Sequence, residues 1–554
     1  MSTSPTSGGA KVLVIGLDGA SPELMGRWVA EGRLPHIASV AERGHLTTLE
    51  STPNYLSPSA WSSFVTGLGP GNHGVFFFRD RVPGTYRTFY GNASTRDGVP
   101  MWTALSEAGK KVASLFVPMT WPAVPVNGVL AADWMAPSLH DPAYAYPREY
   151  VARILQVDPD FRLHTGMNQY TCRGNYVEPL AQKKQLLRSK TAVALDLLTS
   201  DAWDLFTVVM HETDPIQHFY WHFLDPHHPD HNMPGADAYR SAILEIYQAA
   251  DEAVGRLLDA VGEDTFVFIM SDHGAGLNDG GCMYLKDLLR AVGLEAPRRA
   301  GLGQSLARGL RRFAHRVLPE QVRYKAMASV PGLHGKLARA AFESDVDWQR
   351  TQAYTFFCGS VSEPWLNVRG REPQGQVEPG DAYERVLERV METVLEARDL
   401  RTGEPVAERL SRKTELYAGP YIDRAPDLMV HWREDLVIRG LRVGGNGTVL
   451  DKPISEHTTS GSHRLHGVLV AAGPRNEAAE CPVNAQIIDL APTIYGLLDM
   501  APPHPLDGRP WTELFPNAIR VHQPVRDRVT SVSDGAQSQD DDVVQQRLED
   551  LGYI

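Results

Sequence analysis

An apolar run, Phe266-Val267-Phe268-Ile269-Met270, stops at Ser271 and an adjacent carboxylate and imidazole, Asp272 and His273, followed by Gly274. Both side chains are strong metal ligands, and a buried strand seldom ends on two of them without a use. Similar donors recur along the chain. Asp18 follows the apolar run Val12 to Leu17, Asp214 and His218 stand four apart, and His463 sits in the segment Thr459 to Gly467. This mixture of oxygen and nitrogen donors suits a pair of divalent ions acting on phosphate esters.

Spacing of i, i+4 places Asp214 and His218 on one helical face, and Pro215 fits a first turn, with Asp214 at the helix start. An N-cap aspartate beside an unrelated histidine would show the same spacing. His463, His466 and His457 compete as the last ligand, since spacing does not choose between them. Phosphoryl transfer through a covalent intermediate needs a hydroxyl that a metal can deprotonate. Four serines compete for that role in Ser57-Pro58-Ser59-Ala60-Trp61-Ser62-Ser63.

These residues need elements to position them. Lys11 to Gly16 reads as a fully buried strand, followed by a helix over Ser21 to Glu31. Lys111 to Phe116, Leu205 to Met210, Thr265 to Met270 and Val468 to Ala472 are further strands, and Pro179 to Thr199 and Ala236 to Val261 are helices. Strands alternating with helices predict an open α/β sheet, in which chemistry collects beyond the carboxyl ends of the strands. Asp18, the segment His211 to His218 and Asp272-His273 each follow a strand and so share one edge. His463 would reach that edge on a mobile loop.

The 554 residues divide into a flexible N-terminus (1–10), an α/β core (11–281 and 431–515), an inserted cap (282–430) and a partly flexible tail (516–554). In the cap, Arg298 to Arg316 reads as a basic amphipathic helix and Asp381 to Glu396 as a second helix. In the tail, Val543 to Leu551 has helical spacing that lets it dock back onto the core.

A formal charge of −13 argues against non-specific binding of nucleic-acid polymers. It leaves anionic small molecules open, because bound metal ions reverse the local field. The cysteines, Cys172, Cys282, Cys358 and Cys481, form no CxxC pair and read as four separate reduced thiols. No segment reaches transmembrane length and Val12 to Leu17 is too short for a signal peptide, so a cytoplasmic enzyme is the default expectation.

Taken in order, several motifs resemble the alkaline phosphatase superfamily, in its type I phosphodiesterase/nucleotide pyrophosphatase branch. They are Val14 to Gly19, the serine segment running into Thr66-Gly67-Leu68-Gly69-Pro70-Gly71-Asn72-His73-Gly74, Thr213 to His218, Ser271 to Gly274, Gly461-Ser462-His463, Ile488 to Ile494 and Asp507 to Pro510. Ser59-Ala60-Trp61, Asn367 to Pro373 and Leu551-Gly552-Tyr553 are similar to a bacterial subgroup of phosphohydrolases or phosphomutases. The resemblance implies a three-layer α/β sandwich with a mostly parallel sheet and a large inserted cap. It also implies one ion held by Asp214, His218 and His463, and a second held by Asp18, Asp272, His273 and the nucleophile. The family's nucleophile lies nine residues before the Thr-Gly pair, which here is Ser57, with Ser59 the runner-up.

Two departures bear on the substrate. Sulfatases carry an arginine four residues after the nucleophile, where this chain has Trp61. Nucleotide pyrophosphatases carry a phosphate-binding asparagine where this chain has Phe78, and the neighbouring Arg79 offers another donor. Two divalent ions bring four charges, three aspartates remove three, and an ionised Ser57 brings the empty site near neutrality. Zinc suits these donors best, with manganese the alternative. The expected substrate is a small phosphodiester or pyrophosphate cleaved through a phosphoserine. The alternatives are a phosphomonoesterase or phosphomutase, for which Arg369 and Arg371 would supply extra positive charge, and a non-catalytic relic. Trp61 and other aromatic residues, among them Trp102, Tyr220 and Trp221, are candidates to line a substrate pocket.

Overall fold

The computed structural model describes residues 9–298, 345–356, 362–444, 447–451, 459–474, 480–527 and 541–551. Apart from Arg298, the expected basic helix lies outside these residues, as do His457, Cys358, Gly552 and Tyr553.

An eight-stranded sheet forms the centre, in the order His45–Glu50, His466–Ala472, Phe266–Met270, Gly9–Leu17, Ala202–Met210, Val112–Leu115, Gly128–Ala131, Ala145–Tyr146. The five strands from Phe266–Met270 to Gly128–Ala131 run parallel. His466–Ala472 and Ala145–Tyr146 are antiparallel to their neighbours. Val12 to Ile15 are fully buried, each contributing roughly 2 kcal/mol of apolar burial. Alternate residues face opposite layers. Leu13, Ile15 and Leu17 pack with helices Pro22–Ala30, Val177–Leu198 and Ala242–Asp259, whereas Val12 and Val14 pack with Ser57–Thr66, Met101–Glu107 and Leu490–Leu497. The protein is thus the expected mostly parallel α/β sandwich.

Register brings the strand ends level. Gly16 pairs with both Val209 and Met270, so the chain leaves the sheet together at Asp18, His211 and Ser271-Asp272. His463 arrives differently from the expected loop. It lies on a short strand, Gly461–Arg464, antiparallel to Gly274–Leu277, with Ala275 as its partner. Backbone pairing thereby sets its position.

A third apolar cluster joins helices Cys282–Ala291 and Asp381–Leu395 to strands Ala407–Arg412 and Leu428–Trp432. A fourth packs Phe76 and Phe77 against Tyr354, Trp365, Tyr417 and Tyr421. The helix Asp541–Leu551 docks on the core: Leu548 and Leu551 are fully buried, and Arg547 donates to the carbonyls of Trp134, Ala136 and Pro137. Cys282 is disulfide-bonded, which corrects the expectation of four separate thiols. Cysteines remote in sequence pair through tertiary structure, which spacing does not reveal. Disulfides persist in oxidising surroundings, so the cysteines no longer argue for a reducing compartment. No described helix is long and apolar enough to cross a membrane.

Candidate active site

The level strand ends and the Gly461–Arg464 strand gather two groups of buried donors. Asp214, His218 and His463 form one, and Asp18, Asp272 and His273 the other. In the first, His218 Nε2 lies 3.3 Å from Asp214 Oδ2 and 3.0 Å from His463 Nε2, and His463 Nε2 lies 3.5 Å from Asp214 Oδ1. In the second, His273 Nε2 lies 3.4 Å from Asp272 Oδ2, 3.7 Å from Asp18 Oδ1 and 3.1 Å from Ser57 Oγ. Ser57 Oγ is 3.5 Å from Asp18 Oδ1.

All three imidazoles present the same nitrogen. Nδ1 of His273, His218 and His463 meets the carbonyl oxygens of Gly274, Gly461 and Tyr55 at 2.9, 2.9 and 3.1 Å. A carbonyl only accepts, so Nδ1 carries the proton and Nε2 turns its lone pair toward the carboxylates. Tetrahedral zinc with bonds of about 2.0–2.1 Å separates its donors by about 3.3 Å. The separations in both groups bracket that value, so the donor sets fit a divalent ion.

Charge makes the same demand. Among the described residues no lysine or arginine forms an ion pair with Asp18 or Asp272, and Asp272 Oδ2 accepts no hydrogen bond. Burial, then repulsion from Asp272 and Asp214, pushes the Asp18 carboxyl well above the usual range. Burial likewise raises Asp272. Burial also acts to raise Asp214, but the imidazoles of His218, His463 and His273 outweigh it and hold this carboxyl well below its ordinary value. Divalent cations would relieve the crowding that remains.

The surroundings fix these donors. Gly19 adopts φ +65°, donates its N–H to Asp272 Oδ1 at 3.1 Å and accepts from Gln217 Nε2 at 2.8 Å. A Cβ at this glycine would fall 2.6 Å from Asp214 Oδ1. Ser57 opens the helix Ser57–Thr66, whose start has no side-chain cap. The backbone N–H groups there favour negative charge.

The other expected residues are distributed as follows. Ser59 is buried, and its hydroxyl has no hydrogen-bond partner among the described residues. Ser63 accepts from His73 Nε2 at 3.0 Å; Val75 N–H donates to His73 Nδ1, so this Ser–His contact is structural. Trp61 is fully buried and its indole donates to Asp18 Oδ2 at 3.0 Å, positioning a ligand. Phe78 packs on Trp134 at 6.0 Å, and Arg79 lies on the strand Arg79–Arg81 opposite Tyr90. In the cap, Arg369 is exposed and pairs with Glu378 at 2.7 Å, while Arg371 grips both oxygens of Asp427 at 2.7 and 2.6 Å. His466 is exposed, beyond the donor groups. Trp102 and Tyr220 are core residues.

Two participants were not singled out by spacing. Trp61, expected to line a substrate pocket, is instead fully buried and acts through a tertiary contact to Asp18 that spacing does not reveal. His211 groups with Asp18 and Asp214, all three ligand atoms within 4.8 Å of one another. Its signal was present, since it directly follows the strand Ala202–Met210.

A mostly parallel α/β sheet with carboxylate and imidazole groups gathered beside a buried serine defines a metal-dependent hydrolase. A model of the type I phosphodiesterase / nucleotide pyrophosphatase family matches residues 12–464, and the chain belongs to that family. It is a phosphohydrolase of the phosphodiesterase/pyrophosphatase type. A comparison with curated protein sequences returns no match. Phosphonoacetate hydrolase from Sinorhizobium meliloti 1021, solved with phosphonoformate, shares the fold at a TM-score of 0.50 and 14% identity, over 88% of this chain and 95% of that one. Murine ectonucleotide pyrophosphatase / phosphodiesterase 5 aligns at a TM-score of 0.49 and 13% identity, over 92% of this chain and 100% of that one.

Proposed function

We propose that the protein hydrolyses a small phosphodiester or pyrophosphate with Ser57 as nucleophile, using two divalent ions, zinc first and manganese as the alternative. One ion would be held by Asp214, His218 and His463, the other by Asp18, Asp272, His273 and Ser57. Residues 282–430 would form a cap over this centre. The observation that carries the reading is the position of Ser57 Oγ, 3.1 Å from His273 Nε2 and 3.5 Å from Asp18 Oδ1, inside a donor set of cation-binding spacing.

Bound ions would lower the pKa of the serine hydroxyl and offset the charge of the phosphate oxygens. Ser57 Oγ forms a bond to phosphorus as the bond to the leaving oxygen breaks, giving a phosphoserine and the released alcohol or phosphate. Water then cleaves the Oγ–phosphorus bond and restores Ser57. The uncapped helix start would offer backbone N–H groups to phosphoryl oxygens, and the carbonyl-anchored imidazoles would keep Nε2 in place throughout.

The contact between Ser57 and His273 favours one rival, a metal-free pair in which His273 takes the serine proton. Chelation separates the two, because the rival keeps its activity without metal. Monoester cleavage is the other alternative, and Arg371, committed to Asp427, offers it no open guanidinium fork. With bis(p-nitrophenyl) phosphate and p-nitrophenyl phosphate as substrates, the diester is expected to be the faster. Ser57→Ala and chelation should each lower turnover by about 10³-fold or more. Full activity in Ser57→Ala would remove the assigned nucleophile, and much faster monoester cleavage would overturn the choice of substrate.

A further inference from the structure

Gln217 stands between Asp214 and His218 on the helix Thr213–Leu224, but its side chain leaves their donor group and reaches the turn after the strand Gly9–Leu17. Its Nε2 donates to Thr213 O at 2.7 Å, within the helix, and to Gly19 O at 2.8 Å, in that turn. The N–H of the same Gly19 donates to Asp272 Oδ1 at 3.1 Å. That bond occupies one carboxylate oxygen and leaves Oδ2, 3.4 Å from His273 Nε2, for an ion. Gly19 also meets the first group. Having no side chain, it lies against Asp214, where a Cβ would stand 2.6 Å from Oδ1. One glycine thus touches an aspartate of each group, and Gln217 holds that glycine.

The Gln217 amide is itself oriented. Both of its N–H bonds go to carbonyls, and its Oε1 accepts from the Tyr247 hydroxyl at 3.0 Å. Tyr247, on the helix Ala242–Asp259, accepts in turn from Ser21 N–H at 2.8 Å. A hydroxyl that accepts from an N–H keeps its own proton to donate, so the direction of every bond in this chain is set. Gln217 and Tyr247 are fully buried, and a buried network whose members are all partnered holds one geometry. Elements of both groups pin the turn at neighbouring points: Thr213 Oγ1 donates to Asp18 O at 2.6 Å, and Ser271 Oγ to Ala20 O at 3.1 Å.

We infer that Gln217 is a positioning residue that couples the two donor groups: through Gly19 it fixes Asp272 relative to Asp214, so that filling one group with an ion prepares the other. This rests on the two-ion reading and deepens it. A residue serving its own helix alone would act on the ion of Asp214, His218 and His463. Coupling through Gly19 places the effect on the ion of Asp18, Asp272 and His273 instead. Contacts that orient a metal ligand from behind change metal affinity by about 10–100-fold.

The test titrates the metal-free full chain with zinc by calorimetry, and wild type should take up two ions. Gln217→Met keeps the length of the side chain and loses the amide. It should leave the ion of Asp214, His218 and His463 within about twofold and weaken the other by about 10–100-fold. In an Asp272→Asn background, where the second group is already broken, the same substitution should move the remaining ion by less than about twofold. Tyr247→Phe removes the orienting hydroxyl alone and should weaken the second ion by about two- to tenfold, a result that decides the matter even if Gln217→Met does not fold. With one equivalent of manganese, wild type should show the spin-coupled spectrum of a close pair, and Gln217→Met that of an isolated ion. Unchanged affinities in both variants, or a loss that falls equally or mainly on the ion of Asp214, His218 and His463, would overturn the inference and leave the two-ion reading standing. Wild type that binds fewer than two ions would remove the two-ion reading itself, and this inference with it.

Discussion

The cap and the sheet edge both bury charge, but they balance it in opposite ways. In the cap, Asp427 is gripped by both arms of Arg371, approached by Lys413 at 3.2 Å, and accepts from Leu366 N and Tyr383 Oη. Glu372 meets Arg81 and, at 2.8 Å, Arg371. Burial alone would push the Asp427 carboxyl up, yet Arg371 outweighs it and brings the group down to about 2. At the sheet edge Asp18, Asp214 and Asp272 are equally buried; no ion pair joins Asp18 or Asp272 to a lysine or arginine among the described residues, and both carboxyls are pushed up. Both regions would register as dense clusters of ionisable residues. What separates them is sign: the cap's charges are spent on one another, whereas the edge holds an excess of carboxylate that only a ligand can neutralise.

The largest effect should come from removing one of the unbalanced charges. Asp272→Asn is expected to lower hydrolysis by about 10³-fold or more if the ions act as proposed. Its effect on stability should change sign with metal. In chelator the variant should melt a few degrees above wild type, because a repelling buried charge has gone. In excess zinc it should melt below wild type, because ligand binding that stabilises the native state is weakened. Thermal unfolding in the two buffers measures both. A variant less stable in chelator as well would mean that Asp272 is already balanced, and the contrast with the cap would fail.

The cap provides the reciprocal test. Arg371→Met strands a carboxylate that is fully buried. The cost expected for breaking a buried pair is about 3–5 kcal/mol, toward the low end because Lys413 stays nearby. The double variant Arg371→Met with Asp427→Leu should recover most of that loss. Neither variant should alter the metal content, read by elemental analysis alongside urea unfolding. Loss of metal in Arg371→Met would show that the cap pair supports the centre, and the two regions would no longer be independent.

How far the sequence reveals this contrast depends on what holds each residue in place. Asp18, Asp214 and Asp272-His273 were legible because an apolar run ending on a ligand, or an i, i+4 pair beside Pro215, encodes position locally. The strand register then did the rest, since Gly16 pairs with Val209 and Met270 at once. Sequence alone places His463 in a loop because its partner strand, Gly274-Ala275-Gly276-Leu277, has two glycines and no apolar alternation; the pairing is visible only in three dimensions. The strands His45–Glu50 and Ala145–Tyr146 carry little sequence signal for a related reason: at the sheet edges they are half-exposed or very short. Arg369 and Arg371 look like a pair in sequence, yet their side chains part toward Glu378 at the surface and Asp427 inside. No spacing rule distinguishes a guanidinium awaiting phosphate from one already holding a carboxylate.

The smallest expected effect concerns the two serines that open the helix Ser57–Thr66. Both are fully buried, but Ser57 reaches the donors, whereas the Ser59 hydroxyl has no hydrogen-bond partner among the described residues. A buried hydroxyl without a partner is itself a cost, so Ser59→Ala should leave hydrolysis within about twofold and raise stability by up to about 1 kcal/mol. Ser57→Ala removes a group that faces Asp18 and His273, and its effect should fall on turnover and metal retention. Measured together, the pair scales the regional contrast down to neighbouring side chains: burial is shared, and contact with the unbalanced carboxylates decides which serine matters. If Ser59→Ala abolished turnover while Ser57→Ala kept it, the hydroxyl at Ser57 would be structural and the attacking group would have to come from the second position of the pair.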